Sequence, residues 1–371
     1  MSATTQNDAF FIKTLKFDEA AIDAPLSYPL QRWSGEKMII IPSLIGDQLW
    51  DDDMRQYFSK SSKDAKYGKA ILVPSHALAD NYKKYGADVV TRDDISAKIT
   101  DFRNGLFSSP IVLVNRYDGI DLPDNTCRIL IIDSMPYFVS LRYSYSVKCR
   151  KESDLINIRL AQKIEQGLGR GVRGEKDYCV IIIIGSSIVR FFKSHSTTKY
   201  FSSQTRQQLK IAEEIIDMAK EEISPDSNQI EVLDNLIGQA LVERDNWKEF
   251  YYDRMNQMED SSEEIQINKV LALEKEVCNA INKKDYLGAC RSIQRILDEH
   301  IHGDSERGWY LQMLARCQYY ENRVESTKTQ SSAFKLNPQL LYPRGGISYK
   351  KLEIIDGGRI ERIKALLNNY D

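Results

Sequence analysis

Along the first half of the chain, short and almost wholly apolar runs alternate with longer stretches whose apolar positions recur every three to four residues. The runs are residues 38–41, 70–73, 111–114, 128–132 and 178–184, and they predict β-strands. The stretches between them, at 77–85, 94–103 and 153–168, predict amphipathic helices. A strand that is apolar at every position has no face to turn toward water. The alternation therefore predicts an α/β fold, a parallel sheet with helices on both faces. Pro42, Pro74, Pro123 and Pro136 fall at strand ends, where the loops and ligand sites of open α/β sheets belong.

After about residue 192 the strand pattern stops, and residues 204–222, 229–243 and 247–258 predict helices. The acidic Glu259-Asp260-Ser261-Ser262-Glu263-Glu264 reads as a linker or a helix start. Residues 268–338 predict two helical hairpins. Lys284-Asp285-Tyr286-Leu287-Gly288-Ala289 has a turn-then-helix pattern, and Glu321-Asn322-Arg323-Val324-Glu325-Ser326 begins a second unit 37 positions later. The spacing is looser than the roughly 34-residue tetratricopeptide (TPR) period, and two units are fewer than a stable solenoid needs. TPR-like hairpins and generic helices both stay open. The expected organisation is a segment at 1–29 ahead of the first strand, an α/β domain at 30–195, a helical extension at 196–260 and helical hairpins at 261–371.

At 371 residues the chain has room for two or three domains. The longest apolar run is 180–184, far below the roughly 18 residues of a membrane span, so no membrane partner is expected. Ser2 to Asp8 lacks the basic and apolar regions of a signal peptide. Six cysteines without a CxxC pair and four dispersed histidines predict neither a disulfide framework nor a metal site, and suggest a reducing cytoplasm. The net charge of −2 carries no global signature of nucleic-acid binding. Locally, residues 142–176 hold nine Lys or Arg against four acidic residues, a balance of +5.

That window contains Gln166-Gly167-Leu168-Gly169-Arg170-Gly171-Val172-Arg173, at the end of a predicted helix and before the strand at Tyr178. Two guanidiniums three residues apart would share a helical face, and their planar forks suit phosphate oxygens. Gly169 would let the backbone approach a neighbouring surface. Asn115-Arg116-Tyr117-Asp118-Gly119-Ile120-Asp121-Leu122-Pro123 follows the strand at 111–114, with Gly119 permitting a tight turn. Ile71-Leu72-Val73-Pro74-Ser75 is a strand and turn before a helix whose start could bind a phosphate.

Together these segments resemble motifs VI, V and IV of the second RecA-like lobe of superfamily 2 helicases, in a bacterial branch related to the XPD and DinG helicases. The resemblance covers roughly residues 1 to 215. It implies ATP-driven movement along DNA or RNA, with ATP and magnesium shared with a first RecA-like lobe as partner. Arg170 and Arg173 match the arginine-finger positions that act on the γ-phosphate from across the cleft. Gln166 and Asp121 would couple nucleotide state to lobe closure. Gly119, Asp121 and Asp118, with Gly169, would meet the nucleotide. Ser75, Arg116 and, as a further candidate, Arg103 would touch single- or double-stranded nucleic acid. Ser2, Ala3 and Thr4 match the Ser-Ala-Thr of motif III, which ends the first lobe.

The sequence holds no G-x-x-x-x-G-K-[ST] phosphate loop, since its only Gly-Lys pair, Gly68-Lys69, is followed by Ala70. Asp18-Glu19-Ala20-Ala21 lacks the preceding apolar strand that a DExx box requires. The expectation is half of an ATPase site, inactive by itself. The alternative is an ATP-independent module that binds nucleic acid, or a protein partner through its helical hairpins.

Overall fold

The computed structural model describes residues 10–18, 22, 33–117, 119–136, 140–151, 153–172, 174, 176–224, 228–259, 267–301 and 303–342. Ser2, Ala3, Thr4, Asp118 and Arg173 lie outside these residues, as does most of the acidic stretch after Glu259.

Six strands, β1 (Glu36–Ile40), β2 (Lys69–Val73), β3 (Asp88–Val90), β4 (Ile111–Val114), β5 (Ile129–Asp133) and β6 (Tyr178–Ile184), form one sheet in the order β1-β6-β5-β2-β4-β3. Every pairing is parallel. Both β1 and β5 are buried at all their positions, which requires cover on both faces. This is the α/β sheet that the apolar runs predict, and it fits the RecA-like fold that the resemblance implies. The short edge strand β3 is the addition; its three residues, one of them Asp88, carry too little apolar pattern to predict a strand.

Helices α1 (Asp51–Phe58), α2 (His76–Lys84), α3 (Ile95–Arg103), α4 (Leu141–Cys149) and α5 (Asp154–Leu168) connect the strands. After β6 come α6 (Ser186–Lys193), α7 (His195–Thr198), α8 (Ser203–Glu222), α9 (Gln229–Leu241) and α10 (Asp245–Asn256). The last three share the core of the sheet. Leu209, Ile216, Leu233 and Met255 belong to the same buried cluster as the strands. Tyr251 donates to the Gly35 carbonyl at 3.3 Å and accepts from Gln208 at 3.0 Å. The expected boundary at residue 195 is thus not a boundary of packing, because the edge strand β1 needs the cover that α8 provides.

The chain falls into two compact units, one drawn from residues 1–11, 17–144 and 154–267, the other from 12–16, 145–153 and 268–371. The second unit contains the hairpins α11 (Ile267–Asn282) with α12 (Tyr286–Glu299), and α13 (Asp304–Gln318) with α14 (Arg323–Leu336). Its centre is a polar network. Arg150 donates to both Glu306 oxygens and, at 3.1 Å, to the Tyr310 hydroxyl; Ser153 adds a bond to Glu306 at 3.0 Å. Tyr310 in turn donates to Glu274 at 2.8 Å, whose other oxygen accepts from Lys13 at 2.6 Å. Burial pushes the Glu274 carboxyl up, but Lys13 and Arg150 outweigh it and hold the group below its ordinary range. Arg150 stays charged although burial opposes it, because Tyr310, Glu306 and Glu274 surround it. Residues 12–16 and 145–153 thus belong with helices more than a hundred positions away.

Candidate functional site

The C-terminal ends of parallel strands are where an open α/β sheet presents its loops to ligands. At this edge stand Ser75 after β2, the 115–121 turn after β4, and Asp133 with Ser134 at the end of β5. Asn115 extends the ladder by donating to the Val73 carbonyl at 2.7 Å and then turns with a φ of 53°. Asparagine tolerates that left-handed conformation better than most residues. Lys163 on α5 donates to the Asn115 side chain at 2.8 Å and lies 5.4 Å from the centre of the Tyr117 ring. Gly119, at φ 79°, is exposed, and a side chain there would meet nothing within 4 Å. The turn is open at its tip.

Its base is closed by Arg170, which is only 5% exposed. The guanidinium donates to the Tyr117 carbonyl through Nε at 3.0 Å and Nη2 at 2.6 Å, and to the Ile120 carbonyl through Nη1. Asp121, with 58% of its side chain exposed, is 3.6 Å away. Two buried carbonyls of the turn are thereby satisfied by one charged fork. The expectation of a fork presented outward across a cleft meets a side chain that faces its own domain.

The backbone explains this. Helix α5 ends at Leu168, with Gly169 donating to the Glu165 carbonyl and Arg170 to that of Gly167. Residues 169–172 are therefore outside the helix, so Arg170 stands on no helical face; Arg173 lies outside the described residues. Close approach is likewise made by other glycines than Gly169, around which contacts are ordinary. A Cβ on Gly167 would sit 3.0 Å from the Tyr117 ring, and one on Gly171 would sit 2.5 Å from the Cys179 sulfur. Gly167 lets α5 seat against the turn, and Gly171 lets the chain cross β6.

Ser75 is the N-cap of α2; its hydroxyl oxygen accepts from the Leu78 amide at 3.3 Å. Gln166 is half-buried on the last turn of α5, and Arg116 is half-buried at the start of the turn. Arg103 does not join them. It ends α3, whose neighbouring Phe102 packs beside Gly68 at the start of β2, so it stands at the opposite edge of the sheet. The basic window is also less free than its count suggests. Arg150 is consumed by Glu306, Arg170 by the turn, and Arg159 by Tyr143.

Behind the edge, Asp133 is wholly buried and accepts from Arg55 at 2.7 and 3.1 Å, Tyr82 at 2.8 Å and Ser134 at 2.9 Å. Burial raises the Tyr117 phenol above its ordinary range, and Asp133 adds to the rise. This cluster, with Lys163 and Asn115, was not legible as a site in the sequence. An Asp ending an apolar strand was the one available signal. Among the described residues no group of three or more His, Cys, Asp or Glu could hold a metal ion.

Residues 75–208 match the family model of the helicase C-terminal domain. This segment is a helicase C-terminal domain. The match runs from Ser75 at the end of β2 into α8 and takes in both the 115–121 turn and the 166–173 segment. No curated protein matches the chain. Among the described residues, no helix of this helicase domain or of the hairpins is long and apolar enough to cross a membrane.

Proposed function

We propose that this chain supplies the second lobe of an ATP-driven superfamily 2 helicase of the XPD/DinG kind, with a first RecA-like lobe as partner. The observation that carries the reading is the tie between Arg170 and the 117–120 carbonyls, which brings the motif V and motif VI segments together at the ligand edge of the sheet. A turn that must respond to both nucleotide and strand gains from being held by the segment that faces the nucleotide. In this reading Arg170 is a positioning residue, and Arg173 is the finger offered to the γ-phosphate.

ATP with magnesium is the group that the family implies, and the residues here fit only one side of it. The open tip at Gly119 and the exposed Asp121 leave room for a ribose or a water beside the turn. Asp118 and Gln166 would report nucleotide state to it. The sequence has no phosphate loop, so the triphosphate and its metal fall to the first lobe, motif III (Ser2, Ala3, Thr4) lying at the junction. When bound, the nucleotide supplies the energy of phosphoryl transfer, and this domain's part is to orient and to stabilise charge.

The strand would run across the same edge, its phosphates meeting Ser75, the start of α2, Arg116 and Lys163. Few cations stand there, and Lys163 is already shared with Asn115, so the full chain is expected to bind a labelled single-stranded oligonucleotide weakly, in the micromolar range or above. The slope of log affinity against log salt should be about −1 to −3, since each released counterion contributes roughly 0.7 for single strands. Fluorescence anisotropy between low and high salt reads this. Affinity indifferent to salt, or no binding at any salt, would count against a strand at this edge.

A further inference from the structure

The second hairpin carries a groove that none of the residues above uses. It encloses about 630 Å³ between α13, α14 and the start of the 145–153 segment, within the roughly 300–1,000 Å³ usual for ligand sites. Five rings line it, from Tyr145, Trp309, Tyr319, Tyr320 and Tyr342; among the described residues Arg316 is the one charged residue of the lining, and no carboxylate belongs to it.

What could occupy it follows from which polar groups are already engaged. Gln312 accepts from the Leu341 amide at 3.0 Å, and Gln330 donates to the Leu341 carbonyl at 2.6 Å. Both glutamines thus bond the backbone of one residue of the chain itself, Leu341. The Ser326 hydroxyl donates to the Ala315 carbonyl at 2.7 Å and that of Thr327 to Arg323 at 3.0 Å. Beside ring faces and the Arg316 guanidinium, the groove holds the Trp309 Nε1–H, which is buried with no acceptor among the described residues, a donor that a base carbonyl can meet. Tyr319 and Tyr320 are 51% and 62% exposed. Tyr286 stacks on Tyr320 at 4.1 Å and 5°, and the Arg323 guanidinium lies 5.0 Å from the Tyr319 ring centre. One face of Tyr320 is therefore supported from below, as in a stack waiting to be extended.

We propose that this groove binds unpaired bases of a single-stranded nucleic acid, stacking them on Tyr319 and Tyr320 with Arg316 toward the backbone phosphate. The proposal rests on the helicase reading for the presence of a strand, but not on any residue of the helicase domain. Aromatic faces beside cations are the usual means of holding bases without reading sequence.

The test uses the full chain and a thymidine oligonucleotide carrying 5-iodouracil. The expected photocrosslink maps to the peptide containing Tyr319 and Tyr320. Tyr319→Ala with Tyr320→Ala should bind roughly ten-fold more weakly, as should R316E, while the double Tyr→Phe variant binds normally. Tyr320→Ala also removes the stack on Tyr286, so thermal unfolding of each variant is followed and binding is compared where all are folded. Crosslinks confined to residues 75–208, with affinity indifferent to the Tyr→Ala pair, would overturn the groove and leave the helicase reading standing. No oligonucleotide binding by the full chain would overturn both. A groove that takes an unstructured polypeptide without any crosslink to the oligonucleotide would mark a protein partner instead.

Discussion

Arg170→Lys is expected to damage the protein as severely as Arg170→Ala. The guanidinium reaches the carbonyls of Tyr117 and Ile120 at once through three nitrogens. A lysine ammonium is a single point that cannot span both. Either change strands buried acceptors whose desolvation is no longer compensated, at about 3 kcal/mol of stability. The loss should be local as well as global. Hydrogen exchange at the amides of residues 116–122 should quicken, because Arg170 holds the base of this turn through two of its carbonyls. If Arg170 served only as an outward-facing charge, the lysine variant would fold with wild-type stability and normal exchange, and the positioning role would be lost.

The second large effect is expected at Arg150. Its guanidinium is buried against Glu306 and Tyr310. Removing one partner of a buried ion pair leaves the other charge uncompensated, at about 3–5 kcal/mol. Arg150→Ala and Glu306→Ala should each destabilise the helical unit by that order. Arg150→Met combined with Glu306→Leu should cost less than either single change, since a well-packed apolar pair also avoids the desolvation. Denaturant unfolding of the wild type and the three variants reads these differences. Single variants within 1 kcal/mol of wild type would mean that solvent reaches the pair and that the unit is held by its apolar contacts alone.

Both arginines show where sequence reading stops. The strands were legible because a run such as Val180 to Ile184 admits only a fully buried element, and the helicase likeness because the 166–173 spacing is uncommon. Side-chain direction was not. That Arg170 turns inward depends on α5 ending at Leu168 and on two carbonyls some fifty positions earlier. Nor does anything in the pattern of α13 separate Glu306, which is buried with Arg150, from Asp304, which faces water. The pattern groups Arg103, as a helix-end cation, with Ser75 and Arg116, whereas the packing of Phe102 beside Gly68 puts it at the opposite end of the strands. Helix α4 escaped notice because its tyrosines and serines give no clear apolar stripe.

The proposed role of this helicase C-terminal domain is to complete an ATP site together with a first lobe. Steady-state ATP turnover, measured on the full chain alone and then joined to a first lobe bearing a phosphate loop, tests it most directly. The chain alone should show no turnover above about 1 per minute, against the ~1–1000 per second of ordinary enzymes. The joined protein should turn over ATP in the presence of single strands, and Arg173→Ala should lower that rate on the order of 1000-fold with ATP still bound. Turnover by the chain alone that Arg173→Ala abolishes, or a joined protein indifferent to that change, would contradict the account.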